Sequence, residues 1–361
     1  MEAQASKPGV GEEQKGSRNP NGTGPSNPNI RGLVVIVPDS SVKESDKKAI
    51  RKDQCVVSAG GRDTQVDEVQ LMNPKTYEEG GITHECRSMW LLGHNTSLLL
   101  ACGSGQHPNC VNFAKGFIAS CVNKLIALKD PFKIYATMVS FKDGKTIKDL
   151  LDDKKKSYDA LQEASSPIYG PAIGNLQVME ITDVAGSAKA IDKCISTGAD
   201  PKELVCCFFV LKQIKKSNDR TVCYLSSLNI SFSGDCGQHY LDIKDKKANV
   251  PFNLYRYSIG GGSMSACVAC ISEKDDSVMR VIDACNKMRE VKNSPPRSGN
   301  VLRFVEFTRG EVGKCKEKLE KADNDSTKKA CKNILDRMEL MLKDSEALLA
   351  NPDKVKPLAY S

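Results

Sequence analysis

The sequence contains few histidines and few aromatic side chains. Only four of its 361 residues are histidine, and Phe, Trp and Tyr together make up 6%. No two histidines are four positions apart, the spacing that places two metal ligands on one face of a helix. No strand carries the aromatic residues that stack RNA bases, and basic residues are not interleaved with aromatic ones. We therefore expect neither a bound metal nor a nucleic-acid partner.

Long hydrophobic runs are also missing. No apolar run approaches the roughly 20 residues of a membrane span, so no membrane contact is expected. The first twenty residues, MEAQASKPGVGEEQKGSRNP, lack the apolar core of a secretory signal. In a chain with 40% hydrophobic and 27% charged residues, these features indicate a soluble globular protein of the cytoplasm.

The 15 cysteines are expected to be reduced thiols, because disulfides belong mainly to secreted proteins. Most lie in apolar runs, where a thiol packs as a small hydrophobic group. Cys267 and Cys270 have C-x-x-C spacing, but they lie in a predicted strand, where positions i and i+3 point to opposite faces. A zinc ion shared by this pair is therefore not expected. The net charge of +7 permits an acidic partner, such as nucleic acid or an acidic filament surface, without choosing one.

Three regions follow from the distribution of residues along the chain. Residues 1–29 are rich in Gly, Pro, Asn and Ser without periodicity, which predicts a disordered tail. Residues 30–297 alternate buried strands, such as RGLVVIV, with amphipathic helices, which predicts a three-layer α/β domain. Residues 298–361 form a small C-terminal extension that is predicted to be mainly helical.

Several elements of the α/β domain can be placed. The apolar runs Leu204–Ile214 and Thr221–Phe232 predict a hairpin of long buried strands. A strand over Ser97–Cys102 is followed by a glycine loop and a helix that includes Val111–Leu128, whose apolar residues recur at helical spacing. The stretch FKIYATMVSFKDGKTIKDLL predicts a strand, a turn and a short helix.

The C-terminal extension is predicted to contain a strand at Val301–Phe307 and two lysine-rich helices, Glu311–Ala322 and Ser326–Ala350. Asp325 or Ser326 is the predicted N-cap of the second helix. Its apolar positions form one stripe, made of Ile334, Met338, Met341, Leu342 and Leu348. The stripe is compatible with packing of the helices on their own domain, or with a partner-binding or dimerising helix in residues 311–350.

The glycine loop consists of Gly103, Ser104, Gly105, Gln106 and His107. A working phosphate-binding loop surrounds the phosphates with backbone N–H groups, a lysine and a Ser or Thr that holds magnesium. Gln106 stands at the lysine position and His107 at the Ser/Thr position. The loop is therefore predicted to be a degenerate nucleotide loop. Taken alone, the glycines are a weak signal and favour an ordinary turn between a strand and a helix.

Neighbouring segments resemble the kinesin motor-domain family, in the family's order. GHNTSLLLACGSG is similar to the stretch that opens with G-[YH]-N-x-[ST] and leads into the P-loop, and VCYLSSLNISFSGD to the strand bearing L-N-L-V-D-L-A-G-S-E. NVPFNLYRYSIGGGS resembles V-P-Y-R-x-S-K-L-T followed by L-G-G-N-S. MREVKNSPP resembles the last motor helix of the family with its I-K-N-K-P junction. The resemblance covers about residues 30 to 297. It implies a kinesin-like motor fold with a central, mostly parallel sheet flanked by helices.

The departures from the family's motifs affect its nucleotide chemistry. The switch II motif D-x-x-G corresponds to residues 231–234. Ser231 stands at the position of the aspartate, and Gly234 keeps the glycine. The switch I signature, N-x-x-S-S-R-S-H, is absent before Leu204. With the missing lysine and Ser/Thr of the P-loop, three parts of the phosphate chemistry are changed together. The resemblance thus implies a non-catalytic pseudo-motor that binds no cofactor.

The track-binding part of the family pattern is also reduced. Between Gly234 and Val250 the chain is too short for a long loop and the principal tubulin-binding helix, although Lys244, Lys246 and Lys247 leave a basic patch as a possible partner surface. We expect a structural or binding component of the microtubule cytoskeleton in the cytoplasm, and the resemblance suggests the axoneme of a cilium or flagellum as a location. The alternatives are a divergent microtubule-based ATPase, and a scaffold without direct microtubule contact.

Overall fold

The computed structural model describes residues 28–38, 55–59, 61–73, 76–142, 146–154, 157–158, 162–196, 202–217, 220–272 and 276–361. The predicted tail of residues 1–29 therefore lies almost entirely outside the described residues. At its end, Asn29 forms an isolated antiparallel bridge with Lys292.

The strands of the described chain are β1 (Arg31–Val37), β2 (Val56–Ala59), β3 (Arg62–Gln65), β4 (Glu68–Leu71), β5 (Thr96–Cys102), β6 (Phe132–Phe141), β7 (Ile147–Asp149), β8 (Ser157–Tyr158), β9 (Glu163–Ser166), β10 (Gly170–Ile173), β11 (Met179–Ile181), β12 (Leu204–Ser217), β13 (Arg220–Ser233) and β14 (Met264–Ser272). The α-helices are α1 (Gly81–Leu91), α2 (His107–Leu128), α3 (Val184–Ser196), α4 (Gln238–Lys244), α5 (Phe252–Tyr255), α6 (Val278–Arg289), α7 (Val301–Glu320) and α8 (Asp325–Ala350).

Ten strands form one sheet in the order β4-β1-β14-β5-β13-β12-β6-β7-β8, and β11 pairs with β6. The five strands from β4 to β13 are parallel to their neighbours, while β12, β6, β7 and β8 continue the sheet in antiparallel pairs. The predicted long hairpin is β12 and β13, which pair along their whole length. The sheet is thus parallel at its centre, as the sequence predicts.

Helices cover both faces of the sheet. On one face, Leu100 of β5 packs in a core with Phe117 of α2 and residues of α1 and α3. On the other face, Leu99 packs in a core with Tyr240 of α4 and residues of α5 and α6. Every residue of β5 is buried, which explains its uninterrupted apolar run. The predicted three-layer α/β fold is confirmed.

The cysteines follow the alternation of the strands. Cys267 belongs to the core under α4 to α6, whereas Cys270 belongs to the core under α1 to α3, so the pair points to opposite faces as predicted. All fifteen cysteines are free thiols.

Helix α2 is long and apolar enough to cross a membrane by length and composition alone. Its apolar residues Phe117, Ile118 and Leu125 are buried in the core against the sheet, which accounts for that composition.

Two predicted elements are wrong. The residues TIKDLL do not form a helix: β7 pairs with β6, and the Asp149 carboxylate ends it by accepting from the N–H groups of Leu151 (3.0 Å) and Gln177 (2.8 Å). The stretch predicted as a strand at Val301–Phe307 is the start of α7. Its buried residues follow helical spacing, and Asn300 caps the helix through its side-chain oxygen.

The polar stretch 151–167 contains the short strands β8 and β9. The predicted N-cap of α8, Asp325 or Ser326, is wrong. The N-cap is Asn324, whose side-chain oxygen accepts from the Thr327 N–H at 2.7 Å. Helix boundaries of this kind are poorly determined by sequence, because several adjacent polar residues can each cap.

Helices α7 and α8 form a hairpin that packs on its own domain. At the far end of the hairpin, Val312 and Cys315 of α7 pack against Leu335 of α8. At its base, Val301 and Leu348 are buried with residues of β13. Of the predicted stripe on α8, Leu348 is buried while Ile334 remains 55% exposed.

An extended segment, residues 291–300, connects α6 to this hairpin along the amino-terminal edge of the central strands. Its backbone makes the hydrogen bonds Asn293 N–H to Pro28 O (2.8 Å), Ser294 N–H to Gly261 O (3.0 Å), Arg297 N–H to Gly262 O (3.2 Å), Gly299 N–H to Gly93 O (2.7 Å) and Leu225 N–H to Gly299 O (2.9 Å). The segment is therefore bonded to the domain at both ends and in between.

Asn293 is the buried anchor of this segment. It is 4% exposed, and its Nδ2 donates to Ser258 O (3.2 Å), Ser263 O (2.9 Å) and Ser265 Oγ (3.0 Å). Its Oδ1 accepts from the Gly260 N–H at 2.7 Å. One side chain thus satisfies four groups of the glycine-rich turn before β14 and of β14 itself.

Candidate functional site

The glycine loop lies where the carboxyl end of β5 meets the start of α2. Strands β1, β14, β5 and β13 are parallel in this part of the sheet, so their carboxyl ends meet at one edge. Crevices at this edge are the usual ligand sites of open α/β sheets. The predicted order of strand, glycine loop and helix is therefore present at a position suited to binding.

The loop itself is a single tight turn. Gly103 is extended, and residues 104–106 form one 3₁₀ turn closed by the Gln106 N–H, which donates to Gly103 O at 2.9 Å. A Cβ added at Gly105 would meet no heavy atom within 4 Å, so the surface of the loop faces open space. The backbone could approach an anion, as a phosphate loop does.

The side chain at the lysine position is turned onto the helix. Gln106 Oε1 accepts from Asn109 Nδ2 at 2.7 Å, within the first turn of α2. An amide carries no charge, and this one already has a partner. The loop therefore presents no cation of its own to a ligand.

The side chain at the Ser/Thr position is buried. His107 is 5% exposed, and its ring lies 5.9 Å from the ring of Phe232, centre to centre. Burial lowers the pKa of His107, which keeps the imidazole neutral at pH 7. Its Nε2 is buried without a hydrogen-bond partner among the described residues. It contributes to the core of the domain and does not line the space above the loop.

The residue that replaces the switch II aspartate is also buried. Ser231 Oγ donates to the Tyr240 hydroxyl at 3.1 Å, and that hydroxyl donates to Leu100 O at 2.9 Å. After Gly234 the chain turns back onto β5, where the Cys236 N–H donates to Cys102 O at 2.9 Å. The side chains at positions 106, 107 and 231 supply neither a cation nor a magnesium ligand, so they do not fit a magnesium-bound triphosphate.

A cavity of about 510 Å³ opens beside the loop. It is lined by Gly103, Gly105, Lys202, Gly234, Asp235, Cys236, Asp276, Ser277 and Arg280. Two cationic and two acidic side chains face it, so its charge is balanced. Three predicted site residues line this cavity, Gly103, Gly105 and Gly234, whereas Gln106, His107 and Ser231 do not.

The rim of the cavity joins the chain before β12 to α4. His239 Nε2 donates to Lys202 O at 2.8 Å and lies 3.4 Å from Asp235 Oδ2. Residues 197–201, where a switch I signature would end, lie outside the described residues. Sequence reasoning missed the charged lining residues, although the signal was available: Asp235 and Asp276 follow the carboxyl ends of β13 and β14, which meet at this edge.

The three lysines of the possible partner surface lie together at the end of α4. Lys244 pairs with the next residue, an aspartate, at 2.8 Å, and Lys247 pairs with Asp242 at 2.7 Å. The Lys246 ammonium lies 5.0 Å from the centre of the Phe252 ring of α5. The surface is thus less positive than three lysines alone would make it.

Within the described part of the chain, no group of three or more His, Cys, Asp or Glu residues is arranged to hold a metal ion.

Comparison with known proteins identifies the fold. No family model matches the chain, and no curated protein matches it by sequence. Among solved structures, a fast kinesin that was studied for its ATPase mechanism and its interactions with microtubules superposes with a TM-score of 0.58 at 13% identity. The match covers 75% of this chain and 94% of that chain. The protein therefore has the fold of a kinesin motor domain, with a C-terminal helical hairpin added to it.

Proposed function

We propose that this protein is a non-catalytic kinesin-like component of the microtubule cytoskeleton, with a structural or binding role and no nucleotide-driven movement. The observation that carries the proposal is the engagement of Gln106, His107 and Ser231 in contacts inside the protein. A phosphoryl-transferring motor needs a cation and magnesium ligands at such positions. Neither a cofactor nor an enzymatic activity is part of this proposal.

The size of the loss supports the proposal. A hydrogen bond to a charged group contributes roughly 1.5–3 kcal/mol, so the absence of the lysine and the magnesium ligand weakens triphosphate binding by about two to four decades. A neighbouring side chain can replace one lost contact to the phosphates or magnesium, but the loss of three such contacts in one site is much harder to replace.

The proposal is tested by measuring nucleotide binding and hydrolysis with the full chain. We expect no saturable binding of a fluorescent ATP analogue and no phosphate release above background, with or without microtubules. The matched control is the variant Gln106→Lys, which adds a cation beside the loop and should bind the analogue more tightly than the natural chain. Saturable ATP hydrolysis by the natural chain that is lost in Gly105→Val would contradict the proposal.

The partner is tested separately. We expect the chain to co-sediment with microtubules at near-physiological salt, through the surface that contains Lys246 and Lys247. Their replacement by glutamate should weaken binding by about tenfold, since charge reversal acts on an electrostatic contact that salt screens. Lys332→Glu, on the exposed surface of α8, is the control and should leave binding unchanged.

The location follows from the same proposal. A structural component of this kind belongs to the cytoskeleton of the cytoplasm, and the axoneme of a cilium or flagellum is the place we propose to examine first. Immunolabelling of native cytoskeletal preparations would test it, because a stable component stays with the microtubules when soluble protein is extracted.

Two alternatives have their own supporting observations. A divergent ATPase is favoured by the cavity beside the loop, which Lys202 and Arg280 line. Nucleotide-dependent thermal stabilisation of the natural chain would support it. A scaffold without microtubule contact is favoured by exposed Phe307, Ile334 and Leu340 on the α7–α8 hairpin. An absence of co-sedimentation at any salt concentration would support that alternative.

A further inference from the structure

The end of the chain, residues 351–361, turns back from α8 and crosses the outer edge of β9. The Tyr360 N–H donates to Ser165 O at 3.0 Å, and the Ser165 N–H donates to Tyr360 O at 2.8 Å. The other edge of β9 pairs with β10. Tyr360 therefore adds to the β9–β10 hairpin in the manner of a third strand. We call residues 351–361 the C-terminal strap.

The C-terminal strap covers an apolar groove. The groove is formed by Ile168 and Tyr169, which follow β9, and by Leu348 of α8, each at most 5% exposed. Val355 and Ala359 of the strap pack against these residues. No residue of the strap is itself buried, and its Leu358 is 49% exposed. The strap thus shields a core surface without being part of the core.

Two polar anchors hold the C-terminal strap. The Tyr360 hydroxyl donates to Asp344 Oδ2 at 2.9 Å, on the side of α8 that faces the strap. The Lys212 ammonium, on a side chain that is 1% exposed, donates to Val355 O at 2.9 Å and also to Pro352 O. Lys212 also lies at the carboxyl end of α8, where a cation complements the helix dipole.

These contacts are few for the length of chain that they order. Each ordered residue loses backbone freedom, and the strap gains in return one bridge, one tyrosine anchor, one lysine anchor and partial apolar contact. Segments with few buried contacts open locally while the rest of a domain stays folded. Backbone pairing to a sheet edge combined with a side-chain anchor is a common way in which extended peptides are recognised.

We propose that the edge of β9 and the apolar groove beside it form a peptide-recognition site for an extended segment with an anchoring tyrosine, and that the C-terminal strap occupies this site in cis. The strap leaves and returns as a unit, with Tyr360 as its anchor. This proposal does not depend on a filament partner, because it concerns only how the chain binds its own end.

Release of the strap would change a surface that continues toward the lysines. Arg256 Nη2, just after α5, donates to Ser165 Oγ at 2.6 Å, and Asn253 Nδ2 donates to Glu163 Oε2 at 2.7 Å. Helix α5 thus contacts β9 on one side and Lys246 on the other. The groove and the proposed partner surface therefore lie on either side of α5.

The first test uses a fluorescein-labelled synthetic peptide with the sequence of residues 351–361 and full-length chains. We expect the peptide to bind Tyr360→Ala at least tenfold more tightly than the natural chain, since the variant's own strap no longer holds the site. The same peptide with Phe in place of Tyr360 should bind that variant at least tenfold more weakly, because the donor to Asp344 is missing. Equal binding to both chains, or none to the variant, would overturn the proposal.

The second test measures amide hydrogen exchange in intact chains. Asp344→Ala should accelerate exchange at Ser165 and Tyr360 by at least tenfold, whereas Asp336→Ala, an exposed change on the same helix, should not. Exchange at both amides that follows global unfolding, at the rate of β5, would overturn the proposal. So would a natural chain that dimerises and becomes monomeric in Tyr360→Ala, because the groove would then hold the strap of a second copy.

Discussion

Asn293 provides a sharp test of how the segment after α6 is held to the domain. The Asn293→Ala substitution removes one acceptor and two donors. The Gly260 N–H and Ser263 O then lose the partners described here, while Ser258 O still accepts from Ser265 Oγ at 2.7 Å. Ser263 is buried, so its unsatisfied carbonyl costs about 1–3 kcal/mol, whereas Gly260 is exposed and its N–H can bind water; we expect a loss of about 2 kcal/mol.

The isosteric variant Asn293→Asp separates hydrogen bonding from packing. Its shape is unchanged and it can still accept from Gly260, but its other carboxylate oxygen would face the carbonyl oxygens of Ser258 and Ser263, and of these three serine groups only the Ser265 hydroxyl could turn to donate to it. We expect it to be at least as destabilising as Asn293→Ala, because a buried charge that faces two carbonyl oxygens is costly.

The assay is urea unfolding at pH 7, with stability taken from the midpoint and slope of the transition. The controls are Asn333→Ala and Asn333→Asp, on the exposed surface of α8, which should stay within about 0.5 kcal/mol of the natural chain. If Asn293→Asp is as stable as the natural chain, the side chain acts by its volume alone and our account of the anchor is wrong.

The remaining predictions concern stability elsewhere in the domain. Burial alone would raise the pKa of Asp67, but the hydrogen bonds and charge of Arg289 outweigh it and lower the pKa; the two oxygens of Asp67 pair with Arg289 at 2.9 Å each. A lowered folded-state pKa adds stability above the unfolded value near about 3.9, and this stability is lost as the pH falls through the folded value. The urea midpoint should therefore drop more steeply below pH 4 in the natural chain than in Asp67→Asn, and equal slopes would contradict this. Two glycines within helices should respond to alanine with opposite signs. Gly116→Ala would place its Cβ 2.5 Å from atoms of Tyr77 and should cost about 1–3 kcal/mol, whereas Gly313→Ala meets nothing within 4 Å and should stabilise by up to about 1 kcal/mol. Thermal unfolding of the pair checks both, and a shift in the same direction would refute the packing argument.

The sequence predicts the centre of this fold well and its periphery less well. Buried parallel strands such as β1 and β5 contain nearly continuous apolar runs, and their short length between turn residues favours a strand over a helix. The start of α7, VLRFVEF, has apolar residues at both strand and helix spacing, so a seven-residue window could not decide between them. The short strand β7 is formed because its neighbour β6 is present, which is a tertiary effect that local sequence does not contain.

The candidate site shows the same division. Its place was predictable, because glycines between a buried strand and an apolar helix mark the carboxyl edge of a parallel sheet. The directions of its side chains were not predictable from the sequence. That Gln106 turns to Asn109 and that Tyr240 closes over Ser231 depend on neighbours from other elements. Lys202, just before β12, and Arg280, in the first turn of α6, are far apart in the chain, and only the folded sheet brings them together.

The path of residues 291–300 decides how a mechanical load would travel through this molecule. Its hydrogen bonds to Gly93, Leu225, Gly261 and Gly262 lie side by side along the edge of the sheet. A pull on the α7–α8 hairpin in the direction of this segment would shear several of them at once, whereas a perpendicular pull would peel them away one after another. The attachment of the hairpin therefore resists a force along residues 291–300 better than a force perpendicular to them. Any cargo or filament attached to it would transmit tension to the central strands in the first direction and detach the handle in the second.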